Sequence, residues 1–192
     1  MGLLDALLGR KKPVQPDLDA LFALPSAAVS LEVAEGLRPT GVGAVCIKPA
    51  EGQAFSSAQT EALALLQLDP TTQVEQTRDS FGYLWTTTRT SPERLSDLVT
   101  ALHAANTTYD RAGFGPSMLC SFVGFAGDVD GSRRSVGLVY LFKRGTLYPF
   151  APLDGEKRDT ALELRVRAAL ADEVQVEPEL SRWFPIWGAP GL

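Results

Sequence analysis

The chain has 192 residues, with 18 Lys and Arg against 23 Asp and Glu for a formal net charge of −5, and 45% of it is hydrophobic. That balance excludes global disorder and a fibrous repeat, and a mildly acidic chain without a basic stripe lacks the electrostatic footprint of a nucleic-acid binder. A single histidine, His103, and two cysteines, Cys46 and Cys120, leave little material for catalysis or for a His-rich zinc sphere.

Read in order, the chain opens with Leu3, Leu4, Leu7 and Leu8, whose spacing places them on one face of a short helix. Gly9 can end that helix, and Arg10, Lys11 and Lys12 suit its negative C-terminal end. Charges that follow the apolar run reverse the order of a secretory signal. Ala6 occupies the position where a myristoylation pattern wants Ser or Thr, and no later run approaches the roughly 20 apolar residues of a membrane span. Pro13 and Pro16 make a stiff spacer, so residues 1–16 read as an amphipathic helix and linker ahead of one domain over residues 17–192. A reducing cytoplasm fits the cysteine usage, since both thiols sit in apolar, strand-like runs where burial is the common state.

Leu18, Leu21 and Phe22 predict a short helix over Asp17–Leu24 that Pro25 stops. Ala27, Val29, Leu31 and Val33 then alternate, which favours a strand over residues 26–38, although the Ala and Glu content would also suit a helix. A buried strand from Gly41 ends before Pro49, and Ser56 or Ser57 caps a helix through about Gln67. Residues 73–78 and 81–89 form a hairpin around Asp79-Ser80. Ser91-Pro92-Glu93 starts a helix with the apolar stripe Leu95, Leu98, Val99 and Leu102. Two apolar runs flanking Asp128 to Arg134 make a long hairpin with Asp130-Gly131 at its turn. A strand follows over Leu147–Phe150. The last helix spans 155–171, with Ala161, Leu162, Val166, Ala169 and Leu170 inward and Glu163 paired outward with Arg167. Val174 to Leu192 is a Pro- and Trp-rich tail. The fold class is α+β, a mainly antiparallel sheet with flanking helices in a single domain.

The candidate chemical motifs each have a plainer explanation. His103 continues the apolar stripe of its helix and reads as a core-edge histidine, and a Cys-His dyad would need a thiol brought to it. Asp128 and Asp130 resemble the start of a calcium loop, but Gly131 falls at the fourth position and Val139 stands at the twelfth. Gly113-Phe-Gly115 opens a strand where a dinucleotide fingerprint opens a helix. Ser117 lacks the flanking glycines of a nucleophile elbow.

Three features survive. The Leu3, Leu4, Leu7, Leu8 face could pack on a partner helix, rest at a lipid surface with Arg10, Lys11 and Lys12 beside it, or fold back on its own domain. In Phe142 to Pro152 a turn at Gly145 precedes the core aromatics Tyr148 and Phe150. Trp183-Phe-Pro-Ile-Trp187 is either an interface or an aromatic staple holding the tail to its core.

At these residues the chain resembles the PspA-associated family called PspAB. The resemblance rests on Met1-Gly-Leu-Leu-Asp5, Asp19-Ala-Leu-Phe22, Gly82-Tyr-Leu-Trp85, Leu98 to Ala105, Gly113-Phe-Gly115, Phe142 to Pro152, Glu156-Lys-Arg-Asp159, Trp183 to Trp187 and Ala189-Pro-Gly191. It implies association with PspA, the membrane-remodelling coiled-coil protein of the phage-shock envelope-stress response, and carries no catalytic motif across. Some members are associated with a membrane protease of the HtpX type. The expectation is a cytoplasmic, non-catalytic accessory or adaptor protein, without cofactor or metal, that binds a PspA-like protein or such a protease. Leu3, Leu4, Leu7, Leu8, Trp183 and Trp187 are its candidate contacts, and residues 3–12 a candidate peripheral membrane contact. A chaperone-like binding module and a small enzyme using His103 are the alternatives.

Overall fold

The computed structural model describes residues 17–192, so the expected helix over residues 3–8 and its proline spacer lie outside the described residues. Leu18–Ala23 winds as a tight 3-10 helix that runs straight into α1, Leu24–Glu35. Both the strand expected over residues 26–38 and the stop expected at Pro25 are therefore corrected. Pro25 sits in the first turn of α1, where its missing N–H costs no hydrogen bond. The period that prevails is Leu24, Ala27, Ala28 and Leu31, all buried, while Val29 and Val33 of the supposed alternation are 65% and 84% exposed. Gly36, in the left-handed region at φ 67°, ends the helix, donating to the Glu32 carbonyl at 3.1 Å while Leu37 N–H reaches Leu31 O at 3.3 Å.

Strand β1, Arg38–Ile47, follows as expected. Helix α2, Gln53–Leu66, begins ahead of the anticipated serine cap: Gly52 precedes it, and Ser56 Oγ donates back to the Gly52 carbonyl at 3.3 Å. The hairpin of β2, Gln73–Arg78, and β3, Leu84–Arg89, is closed by Asp79. Its Oδ1 accepts from the Phe81 and Tyr83 amides at 2.9 Å each, and its Oδ2 accepts from Trp85 Nε1 at 3.0 Å. After a 3-10 turn at Pro92–Arg94 comes α3, Leu95–Arg111, which buries Leu95, Leu98, Val99 and Leu102 as the stripe predicts. The long hairpin is β4, Met118–Val129, with β5, Ser132–Leu141, and Asp130 and Gly131 supply its turn at φ 52° and 76°.

Strand β6, Thr146–Phe150, leads to a small hairpin, β7 Pro152–Leu153 with β8 Lys157–Arg158, where the last helix was expected to begin. That helix, α4, starts at Thr160 and runs to Ala169, capped by Asp159 Oδ1 accepting from the Leu162 amide at 3.0 Å. Its faces also differ from expectation. Ala161 is exposed and Glu163 is buried, because Glu163 lies on the arc of Leu162 and Val166 and finds hydrogen-bond partners there.

The sheet order is β2-β3-β1-β4-β5-β6, antiparallel throughout, so the structure is the single α+β domain the sequence indicated. Alternation along each strand divides the core in two. Val45, Ile47, Val123, Phe125, Leu138 and Tyr140 point to the helices. Ala44, Cys46, Cys120, Phe122, Val139 and Tyr148 point the other way, where among the described residues no α-helix packs and the tail covers them with Trp183, Ile186 and Ala189.

Candidate functional site

The tail is held to that second face by three kinds of contact. It first runs beside the outer edge of β6: Leu147 N–H donates to Gln175 O at 2.9 Å and Glu177 N–H to Leu147 O at 2.8 Å, which closes one sheet edge. Glu177, wholly buried, then accepts from Thr146 Oγ1 at 2.8 Å and pairs with Arg182 at 3.2 Å and Arg144 at 3.3 Å. Burial opposes its ionisation, but the hydrogen bonds from Thr146, the Glu179 amide and Arg182, with the Arg144 charge, outweigh that and hold its carboxyl below the usual carboxylate range.

Aromatic packing comes next. Trp183 is 5% exposed, lies against Tyr148 with ring centroids 6.0 Å apart, and donates from Nε1 to the Glu177 carbonyl at 3.0 Å. Tyr148 in turn donates to Phe184 O at 2.8 Å. Trp187 meets Phe150 edge-on at 5.0 Å and stays partly exposed. Of the two tryptophans proposed as contacts, Trp183 is thus an intramolecular anchor, whereas Trp187 still presents part of its ring to solvent. At the end of the tail, Leu192 seats over the cross-strand glycine pair Gly124 and Gly137, and a Cβ on Gly137 would stand 2.7 Å from its Cδ1.

A second polar knot joins the tail to α4. Glu163, 2% exposed, accepts from the Ala151 amide and from Arg158 Nε, both at 2.9 Å, and Arg158 also donates to the Trp183 carbonyl. Sequence reading missed both buried carboxylates. The available signal for Glu163 was its position between Leu162 and Val166 on the inward arc, whereas Glu177 offered none beyond the two valines that precede it, Val174 and Val176.

The structure does not bring the other candidate residues together. His103, on α3, meets Asp19 Oδ1 at 3.2 Å and the Phe22 ring at 4.7 Å between centroids, on the helical side of the sheet. Cys46 and Cys120 are free, buried and directly opposite one another on β1 and β4, on the tail side, so the sheet separates them from His103. The hydrogen bond with Cys120, then burial, pushes the Cys46 thiol far above its ordinary range. Asp130 is a turn residue paired with Arg165 at 3.1 Å. Gly113 terminates α3 at φ 86°, and Ser117 lies in a single 3-10 turn. Among the described residues no group of three or more His, Cys, Asp or Glu is placed to hold a metal ion, and none of the described helices is long and apolar enough to cross a membrane.

Concave features of the surface include two with mainly apolar linings. One, about 210 Å³, sits between α2, α3 and β3, lined by Leu65, Leu98 and Ala101, with the buried Thr88 hydroxyl lacking a partner at its wall. The other, about 390 Å³, lies where β4 and β5 end against the tail, lined by Met118, Leu119, Leu141 and Phe184 under a rim of Lys143 and Arg182.

These features define a one-domain α+β protein whose sheet is covered on one face by helices and on the other by its own tail. The family model for PspA associated protein B matches residues 1–191, and the chain belongs to that family. No curated protein and no solved structure gives a significant match. The family is that of a PspA-associated protein, in keeping with an accessory role.

Proposed function

We propose that the protein is a non-catalytic accessory or adaptor of the PspA-type envelope-stress response, acting in the cytoplasm or at the inner face of the membrane. Its partner is PspA or an associated membrane protein such as an HtpX-type protease. The observation that carries this reading is family membership over nearly the full chain. The local chemistry is compatible with it: His103, Cys46 and Cys120 are not assembled into a reactive group. Apolar side chains stay on the surface at Phe22, Val29, Val33, Leu68 and Phe81. The contacts proposed are the Leu3, Leu4, Leu7, Leu8 face and the exposed part of Trp187, with residues 3–12 able to touch lipid.

The test is recovery of partners with the tagged full-length protein from envelope-stressed cells. PspA should be enriched over an unstressed, untagged control, and its absence would overturn the assignment. Deleting residues 1–12 and, separately, substituting Trp187→Ala divides the contact between the two ends. Undiminished PspA recovery in both variants would remove both surfaces from the proposal.

A further inference from the structure

We infer that the outer edge of β2 docks a second copy of this chain, the two β2 strands pairing antiparallel about a two-fold axis at Gln76 and joining two six-stranded sheets into one. The inference goes beyond the adaptor reading and does not depend on it.

The first argument is which backbone groups are left over. β2 is the last strand on its side of the sheet, whereas β6, at the opposite edge, is closed by the tail at Gln175 and Glu177. In antiparallel strands, alternate residues turn both N–H and C=O toward the same neighbour. Asp79 N–H donates to Tyr83 O at 3.0 Å, and the register Thr77↔Trp85, Glu75↔Thr87, Gln73↔Arg89 continues that pairing, so the odd-numbered residues of β2 are committed to β3. Val74, Gln76 and Arg78 therefore turn their N–H and C=O groups outward, and among the described residues no backbone bond meets them.

The second argument is that this edge lacks the usual protection. Gln73–Arg78 contains no proline and no lysine, and its register with β3 runs without a bulge over all six residues. Leu68 and Phe81, which flank its two ends, are 77% and 76% exposed.

The third argument is that the charges select one self-pairing. Outward-facing residues must oppose outward-facing residues, so the register can change only in steps of two. With Gln76 opposite the partner's Gln76, Val74 opposes the partner's Arg78 and Glu75 the partner's Thr77, every outward group of both strands is bonded, and no like charges meet. A slip of two residues one way sets Glu75 against the partner's Glu75, and the other way against the partner's Asp79. The favoured register also lays the aliphatic stem of Arg78 along the half-buried Val74 of the partner. Antiparallel pairing brings the Leu68 end of one copy beside the Phe81 end of the other, so the exposed apolar side chains gather at both ends of the junction. One short strand from each copy makes a small interface, so the dimer forms reversibly as concentration rises.

The experiment uses the purified full chain alone. Sedimentation velocity from about 5 to about 500 μM should show monomer passing to dimer and no larger species, because pairing consumes the edge of both copies. Thr77→Glu sets a carboxylate opposite the partner's Glu75 on both sides of the axis and should weaken the dimer about tenfold. Adding Glu75→Lys places opposite charges across the junction and should restore it. A full chain that stays monomeric, a Thr77→Glu variant that dimerises undiminished, or no recovery in the folded double variant would overturn the inference. Hydrogen exchange on the unmodified protein needs no substitution. On dilution across the same range, the amides of Val74, Gln76 and Arg78 should exchange at least about tenfold faster, while those of Glu75 and Thr77, bonded to β3, keep their rates. Rates independent of concentration at Val74, Gln76 and Arg78 would overturn it as well. Neither measurement involves PspA, so failure here leaves the adaptor assignment standing, and the reverse.

Discussion

At the scale of single residues, the tail's attachment concentrates in Trp183 and Glu177. Trp183→Ala removes a buried ring, its contact with Tyr148 and the Nε1 hydrogen bond to Glu177 O. Urea denaturation should show a loss of about 3–5 kcal/mol. Trp187→Ala, at a partly exposed ring, should cost about 1–2 kcal/mol. Equal losses would mean that the two rings are equally embedded. Glu177 sets a pH dependence whose sign follows from its lowered pKa. The stability it confers is fully present above the unfolded value of about 4.3 and is lost as pH falls through the folded value below it. Urea midpoints measured from neutral pH down to pH 3 should therefore fall less steeply in Glu177→Gln than in the unmodified protein. The Cys46 thiol, raised by Cys120 and by burial, should resist iodoacetamide in the folded protein at mildly alkaline pH. After denaturation both cysteines should react, and prompt labelling of the folded protein at either one would contradict the observed burial.

At the scale of elements, the strands with local turn signals were legible. Asp130-Gly131 and Asp79 state their hairpins directly, because a left-handed pair or an aimed carboxylate closes a turn without help from the rest of the fold. Helix α1 was not legible as such. Its residues satisfy an alternating and a helical pattern at once, and the choice fell to burial of Leu24, Ala27, Ala28 and Leu31 under the neighbouring helices. Glu163 was misplaced for a related reason: a charged residue on an inward arc is tolerated only where Arg158 and the Ala151 amide happen to meet it, and neither partner could be located from spacing. The turn after α1 supplies a sharp test. A Cβ on Gly127 of β4 would stand 2.1 Å from the Gly36 carbonyl, which is backbone and cannot rotate away. Gly127→Ala should cost about 1–3 kcal/mol in unfolding free energy. Gly137→Ala meets only the flexible end of Leu192 and should cost less than about 1 kcal/mol. Similar costs at the two positions would show that the α1–β1 turn yields.

For the whole molecule, the organising feature is a sheet with helices on one face and a strap of irregular chain on the other. Ending the chain after Glu177 would uncover Trp85, Phe122, Tyr148 and Phe150 together, an apolar face of the kind that drives association. Such a truncation should self-associate in sedimentation velocity at concentrations where the full chain sediments as a smaller species, and should bind a hydrophobic dye that the full chain does not. Unchanged sedimentation and dye binding would mean that the tail adds little cover. The sequence by itself determined the α+β class, the hairpins, the helix from Leu95 and the aromatic character of the tail, because each is written in short-range periodicity or turn chemistry. It also carried enough ordered motifs to indicate the PspA associated protein B family. Only the tertiary structure decided that α1 is a helix, that Glu163 and Glu177 go inside, that the two thiols face each other away from His103, and that Trp183 is an anchor. Each of those depends on what lies across the sheet or on a distant segment, and pairings between residues far apart in the chain leave no periodic trace in either partner.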